Sequence, residues 1–293
     1  MLALLPAARA LPEHGDEAQY VWSAAYFGGR AAHLDFGAGN KDSYTDPGWH
    51  PQAAWSASQP MGSRLVYAAA LGLTGAPAPA LPFSWHDPAF QGPDTRLAPA
   101  TLQVTRLAAV LCAAGGFALL AARFGWPGTG AAALLLALAP IREDLARAWA
   151  EGPLLLGIGL CAVAYGSRWF APACGAAATF KLTALGLWPL TLWPGATGRL
   201  GGSPVRGLLV AAVVWSALTP PSWFLGGPAY LGVMLRTRAT ETANMSTMYG
   251  GPFGVFFPSR YGLPLLVAGA LLLAWVASRA LARAALRGPR SAV

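Results

Sequence analysis

Two adjacent carboxylates open the first polar segment of the chain, EHGDEAQYVWSAAYFGG, which begins at Glu13. Asp16 and Glu17 stand directly before a run of aromatic and small residues, and a carboxylate that aromatic rings shield from water is suited to general-base chemistry. On a helix the next side chain turns roughly 100° away, so both acids cannot aim at one hydroxyl. Glu17 is then left to orient neighbours or cap backbone amides. The simpler reading of the pair is a solvated loop or helix cap.

Basic residues that could bind an anion lie in or beside the other polar segments: Arg64, Arg106, Arg142, Arg147 and Lys181. Lys181 separates two apolar runs in AAATFKLTALGLWPL, where it would either bind an anionic group or anchor a helix end. Arg142 and Arg147 stand among acids in IREDLARAWAEG, so ion pairs on a helix surface are the alternative there.

The elements that must position these residues are apolar helices. Of 293 residues, 55% are hydrophobic and 11% are charged, against about a quarter charged in soluble domains. This composition predicts an all-α, polytopic membrane bundle. The candidate spans are Thr105–Ala122, Phe124–Ile141, Gly152–Gly166, Trp169–Phe180, Leu182–Trp193, Gly207–Phe224 and Gly262–Ser278. Several fall short of the ~20 residues that a perpendicular span prefers. Arginines are scattered between these runs without a basic stripe, which argues against nucleic acid as a partner.

The charge pattern sets the topology. If Trp169–Trp193 crosses twice and turns at Lys181, all 12 acids fall on one side. The acid-free loops then hold Arg123, Arg168, Arg199, Arg206, Arg279, Arg283, Arg287 and Arg290. By the positive-inside tendency, these loops and both termini are cytoplasmic. The chain is therefore predicted to be one domain, residues 1–293, in a bacterial cytoplasmic membrane. Its extracytoplasmic loop, residues 13–104, would contain an interfacial helix at Gly62–Gly75.

The N-terminal stretch MLALLPAARALP is too short to cross a bilayer. It predicts the end of a first helix that begins upstream of this start; a signal-peptide reading of Ala8-Arg9-Ala10 lacks a charged n-region. The four histidines lie in the first polar loop without the close spacing of metal ligands. Neither a metal nor another cofactor is predicted, although a divalent ion is left open.

A resemblance covers roughly residues 13–195. The segments GDEAQYVWSAAY, SQPMGSRLVYAAALGLTG and TRLAAVLCAAGGFALLAARFG are similar, in this order, to GT-C membrane glycosyltransferases. The nearest type is the protein O-mannosyltransferase and aminoarabinose-transferase group. Its His/Gln-Pro-Pro-Leu-Gly-Lys stretch corresponds to residues 59–64, Gln-Pro-Met-Gly-Ser-Arg here. Glu151-Gly152-Pro153 and AAATFKLTALGLWPL are further matches. Past Gly207 the resemblance fades, and the family's C-terminal soluble domain has no counterpart.

The resemblance implies inverting transfer of a sugar from a polyprenyl-phosphate donor to an acceptor outside the cytoplasm. Asp16 matches the family's base, and Glu17 completes the candidate catalytic pair. The five cations named above would face the donor phosphate. Tyr20, His50, Glu151 and Tyr249 are the candidates for the sugar and acceptor side. The partners are thus a lipid-linked sugar, the membrane, and an acceptor glycan, lipid or protein.

Two other classes stay open at this stage. A lipid or polyol transporter would concentrate charges or broken helices near the bilayer midplane, whereas these charges lie at one boundary and in loops. A non-catalytic, truncated relative of the transferases is the other alternative. The sequence does not identify the sugar, the acceptor or the oligomeric state.

Overall fold

The computed structural model describes residues 3–32, 61–79, 97–193, 195–198, 204–219 and 232. Over these residues the chain is helical and contains no strand, which confirms the all-α prediction for this part of it. The helices are α1 (Leu4–Ala10), α2 (Gly15–Ala32), α3 (Gly62–Thr74), α4 (Pro99–Phe124), α5 (Trp126–Ala137), α6 (Ala139–Ala146), α7 (Glu151–Ala164), α8 (Phe170–Phe180), the 3₁₀ helix Leu182–Leu192, and α9 (Pro204–Ala217). They belong to one compact unit, Met1–Arg238. The predicted span Gly262–Ser278 lies outside the described residues.

Within the described ranges, α4 alone is long and apolar enough to cross a membrane, with 26 residues. Helices α6 and α7 pass the same test only as a pair, bent by 98° at the break between them. The predicted continuous span Phe124–Ile141 is wrong, because the helix breaks at Leu138, whose backbone is extended. Pro140 explains the break: it has no N–H to donate to the Leu136 carbonyl, and its ring would clash with that carbonyl in a continuous helix. The polytopic arrangement in a membrane therefore stays a proposal.

Helices α4 and α7 pack backbone to backbone through glycines. A Cβ on Gly152 would lie 2.5 Å from the Ala109 carbonyl oxygen, and one on Gly159 would lie 2.8 Å from the Gly116 carbonyl oxygen. Both helices advance by seven residues between these two contacts, so they run parallel, and α5 with α6 returns the chain. Close approach through small residues is the usual way in which helices associate in membranes.

The chain turns back on itself at Lys181. Helix α8 ends at Phe180, Lys181 is extended (φ −154°, ψ 136°), and the 3₁₀ helix follows. The Trp188 indole N–H donates to the Cys174 carbonyl at 3.1 Å, which holds the 3₁₀ helix against α8. Two short helices thus meet at Lys181, as predicted.

The N-terminal helix α1 is built into the core rather than lying apart from it. Leu4 and Ala8 are buried in a cluster with Val110 of α4 and Leu145 of α6. Helix α3 spans the predicted interfacial segment and ends at Gly75, whose φ of 65° suits glycine at a helix C-terminus. Its interfacial location is not tested by the fold.

Candidate functional site

The buried carboxylate of Glu17 joins three parts of the chain. Its side chain is fully buried. Oε1 accepts from Arg106 Nε at 2.8 Å and from the Ala148 amide at 3.0 Å. Oε2 accepts from Arg106 Nη2 at 2.7 Å, Arg147 Nη1 at 3.2 Å and the His14 amide at 3.0 Å. The first turn of α2, the N-terminal part of α4 and the segment after α6 are therefore bound to one group.

The local reason for this position of Glu17 is helix capping. Helix α2 begins at Gly15, so Glu17 is its third residue and binds back to the amide of the residue before the helix, His14. This is the glutamate half of a capping box. Glu17 thus caps backbone amides, one of the roles expected of it; its place in the candidate catalytic pair stays a prediction.

Arg106 uses all five of its N–H groups within the protein. Besides the two bonds to Glu17, Nη1 donates to the carbonyls of Ala8 (2.8 Å) and Leu11 (2.7 Å), and Nη2 donates to Pro12 (2.9 Å). Arg106 therefore ties α4 to the segment between α1 and α2. It retains no donor for a phosphate, so we do not keep it among the phosphate ligands.

Burial and hydrogen bonding act in opposite directions on Glu17. Burial penalises the charged form, yet the bonds from Arg106 and from the Ala148 and His14 amides outweigh it, and the pKa of Glu17 is held below its ordinary value. The group is thus an ionised anchor. A base that accepts a proton near neutral pH requires a higher pKa than this.

The segment Arg147–Ala150 between α6 and α7 is held from two sides. Arg147 and the Ala148 amide bind Glu17, and the Tyr67 hydroxyl of α3 donates to the Trp149 carbonyl. The Arg147 guanidinium lies 5.5 Å from the centre of a Trp149 ring. Arg147 was predicted to bind phosphate or to pair on a helix surface, but α6 ends at Ala146 and its side chain binds Glu17 instead.

Lys181 and Glu151 form an ion pair at the same end of the bundle. Glu151 begins α7, and Lys181 follows the last residue of the antiparallel α8. Their side chains are 33% and 27% exposed, so a ligand can reach the pair. Glu151 is therefore seen as the counter-ion of Lys181, in addition to its predicted place on the sugar and acceptor side.

Arg64 and Tyr20 were predicted separately and are brought together. The fully buried Arg64 side chain has its guanidinium carbon 5.2 Å from the centre of the Tyr20 ring. Gly62, the first residue of α3, packs closely on Thr179 and Phe180. A Cβ on Gly62 would lie 2.5 Å from the Thr179 hydroxyl oxygen. Arg64 thus lies in the first turn of α3, and that turn packs beside the end of α8 that precedes Lys181.

Four predicted residues remain: Arg142, Asp16, His50 and Tyr249. Arg142 of α6 is directed to the Leu136 carbonyl at 3.5 Å. Asp16 belongs to the first turn of α2, but its side chain, like all of His50 and Tyr249, lies outside the described residues. Their roles stay predictions.

Sequence reasoning missed Trp149, Tyr67 and Ser63. Ser63 is fully buried beside Arg64, and its hydroxyl and the Trp149 indole nitrogen are inaccessible to solvent. The sequence offered only two indications of these residues, a serine in an apolar helix and a tryptophan between charged residues. Neither pattern distinguishes a functional residue from one that only packs.

Comparison of the chain with protein-family models, curated proteins and solved structures gave no match. In the described part of the chain, no three His, Cys, Asp or Glu side chains are grouped so as to hold a metal ion. The predicted independence from metal stays a prediction.

Proposed function

We propose that this chain transfers a sugar from a polyprenyl-phosphate donor to an acceptor, with inversion, at the extracytoplasmic face of a bacterial membrane. One observation carries the proposal: the separate segments that resemble GT-C transferases each contribute a charged residue to one end of the helix bundle. Glu17, Arg64 and Arg106 come from the first three segments, and Lys181 and Glu151 come from the last two.

Asp16 acts as the base in this proposal. It precedes Glu17 in the first turn of α2, and the contacts of Glu17 with Arg106 and Ala148 fix that turn. An anchored turn fixes the backbone of the neighbouring residue, and positioning of a base for the proton of the incoming hydroxyl contributes much of the catalytic effect.

The donor phosphate is assigned to Lys181 and Arg64. The leaving lipid phosphate is already stable as an anion, so it requires cations rather than a general acid. Lys181 is partly exposed and forms an ion pair with Glu151. A phosphate can therefore bind Lys181 by displacing the Glu151 carboxylate. We assign Arg106 and Arg147 to holding Glu17 and keep Lys181 and Arg64 as the phosphate ligands of this proposal.

The test is radiolabel transfer in membranes that contain the protein, with a panel of polyprenyl-phosphate hexoses and pentoses. Asp16→Asn keeps the size of the side chain and removes the base. It should lower the transfer rate by about 10²–10⁴-fold while donor binding is retained. Asp144→Asn in α6 is the matched control and should transfer normally.

Near-normal turnover by Asp16→Asn would remove Asp16 from its assigned role. Failure of the wild-type protein to transfer from every donor in the panel would contradict the proposed function. Movement of a fluorescently labelled polyprenyl-phosphate lipid between the two leaflets of proteoliposomes would then favour the transporter alternative.

A further inference from the structure

Two buried donor atoms stand out at the polar end of the bundle. Within the residues described, neither the Ser63 hydroxyl nor the Trp149 indole nitrogen Nε1 has a hydrogen-bond partner, although both atoms are shielded from solvent. Buried polar groups in proteins are almost always hydrogen-bonded, and leaving one unpaired is costly. Two such atoms in one region are groups that a bound ligand or an ordered water could pair.

The two atoms belong to surfaces that are in contact. Ser63 and Tyr67 are four residues apart on α3 and so share one face of the helix. The Tyr67 hydroxyl donates to the Trp149 carbonyl, which places this face of α3 against the segment Arg147–Ala150. The hydroxyl and the indole nitrogen are therefore on neighbouring elements.

The Trp149 ring is held in position. The His14 ring packs edge-on against it at 5.2 Å, and the Arg147 guanidinium lies over it at 5.5 Å. Arg147 is itself fixed by Glu17. An indole held in this way presents its N–H in a constant direction, which is what a recognition site requires.

We propose that Trp149 and Ser63 recognise the sugar of the lipid-linked donor. This inference rests on the proposed function and specifies which groups distinguish a sugar-bearing donor from the carrier alone. The indole N–H donates to a sugar oxygen, and the serine hydroxyl can donate to or accept from a sugar hydroxyl. Arg64, the next residue after Ser63, and Lys181 remain assigned to the phosphate.

The charge of the groups separates these two subsites. Trp149 Nε1 and the Ser63 hydroxyl are neutral, whereas a phosphate binds most strongly to charged donors. Substitution of the neutral pair should therefore weaken binding of polyprenyl-phosphate sugar and leave binding of polyprenyl phosphate unchanged.

The experiment measures the affinity of the purified full-length protein for both lipids. Ser63→Ala removes only the hydroxyl, whereas Trp149→Phe removes the N–H together with the five-membered ring of the indole. Each should weaken binding of the sugar lipid by about tenfold, the equivalent of one hydrogen bond. Trp126→Phe, at an indole that is 87% exposed, is the matched control and should change neither affinity.

A second readout separates recognition from a structural role. Ser63→Ala removes a buried polar atom that the folded protein does not pair and little else, so its thermal stability without lipid should be unchanged or higher. Lower stability of Ser63→Ala, or unchanged discrimination between the two lipids in both variants, would overturn the inference while leaving the proposed function intact. If the wild type binds neither lipid, the proposed function itself fails.

Discussion

At the scale of single residues, the fully buried carboxylate of Glu17 meets the guanidinium groups of Arg106 and Arg147, and neither side is stable without the other. Glu17→Gln should lower the free energy of unfolding by about 3–5 kcal/mol, because it leaves buried positive charge uncompensated. Thermal unfolding in detergent measures this, with Glu143→Gln in α6 as a control that should change little. Equal losses in the two variants would mean that Glu17 has no special role.

The same variant gives a pH signature. Because the pKa of Glu17 lies below its ordinary value of 4.5, its stabilisation is complete above that value and is lost as the pH falls through the folded-state pKa. The wild type should therefore lose stability on acidification below about pH 4.5. The stability of Glu17→Gln should not show this loss on acidification. If the stability of the variant falls with pH as steeply as that of the wild type, Glu17 is not the group responsible.

Lys181 provides the residue-scale test of phosphate binding. Lys181→Met should weaken binding of polyprenyl phosphate by about 10–100-fold, as expected for loss of a charged hydrogen bond. Glu151→Gln removes the competing carboxylate and should strengthen binding. Unchanged affinity in Lys181→Met would show that the lysine only anchors the end of α8.

At the scale of helices, the close approach of α4 and α7 predicts opposite effects at two glycines. A Cβ on Gly116 would lie 2.5 Å from the Leu155 carbonyl oxygen, whereas one on Gly130 in α5 has no neighbour within 4 Å. Gly116→Ala should destabilise the protein by about 1–3 kcal/mol through overpacking. Gly130→Ala should be neutral or stabilising by up to about 1 kcal/mol, because alanine is the better helix former. Thermal unfolding measures the stability of the two variants. Similar shifts in their unfolding temperatures would exclude tight α4–α7 packing.

Helix positions followed from the sequence where apolar runs are bounded by glycine, proline or charge. Predicted Gly152–Gly166 and Trp169–Phe180 correspond closely to α7 and α8. The break at Leu138 was missed although Pro140 marks it in the sequence, because the span was predicted from hydropathy, which carries no information on helix continuity. The conformation of Leu182–Leu192 was beyond prediction for the same reason; Pro189 within it denies one backbone hydrogen bond.

The candidate site was predictable where the information is local. The capping role of Glu17 follows from its place in the first turn of a helix, three residues after His14. Its pairing with Arg147 could not be inferred, because a contact across 130 residues leaves no periodic trace in one sequence. The same limit concealed Trp149, whose significance depends on its neighbours in space.

For the whole molecule, the parallel course of α4 and α7 predicts which ends share a side of the membrane. Ala98 precedes α4, and Arg168 lies between α7 and α8, at the opposite end; both are exposed. In a background without native cysteines, an impermeant maleimide applied outside intact cells should label Ala98→Cys and spare Arg168→Cys. The reverse pattern would invert the proposed topology, and labelling of both would contradict a crossing by α4.

The Glu17 cluster also constrains the order in which the chain assembles during translation. Glu17 is synthesised 89 residues before Arg106 and 130 residues before Arg147. At roughly 5–20 residues per second, its second cation follows only after on the order of ten seconds. The carboxylate must stay hydrated until Arg106 has been made, because an unpaired charge is costly to bury. A nascent chain arrested before Arg106 consequently leaves α2 undocked, and one extended beyond Arg147 can complete the contacts of Glu17.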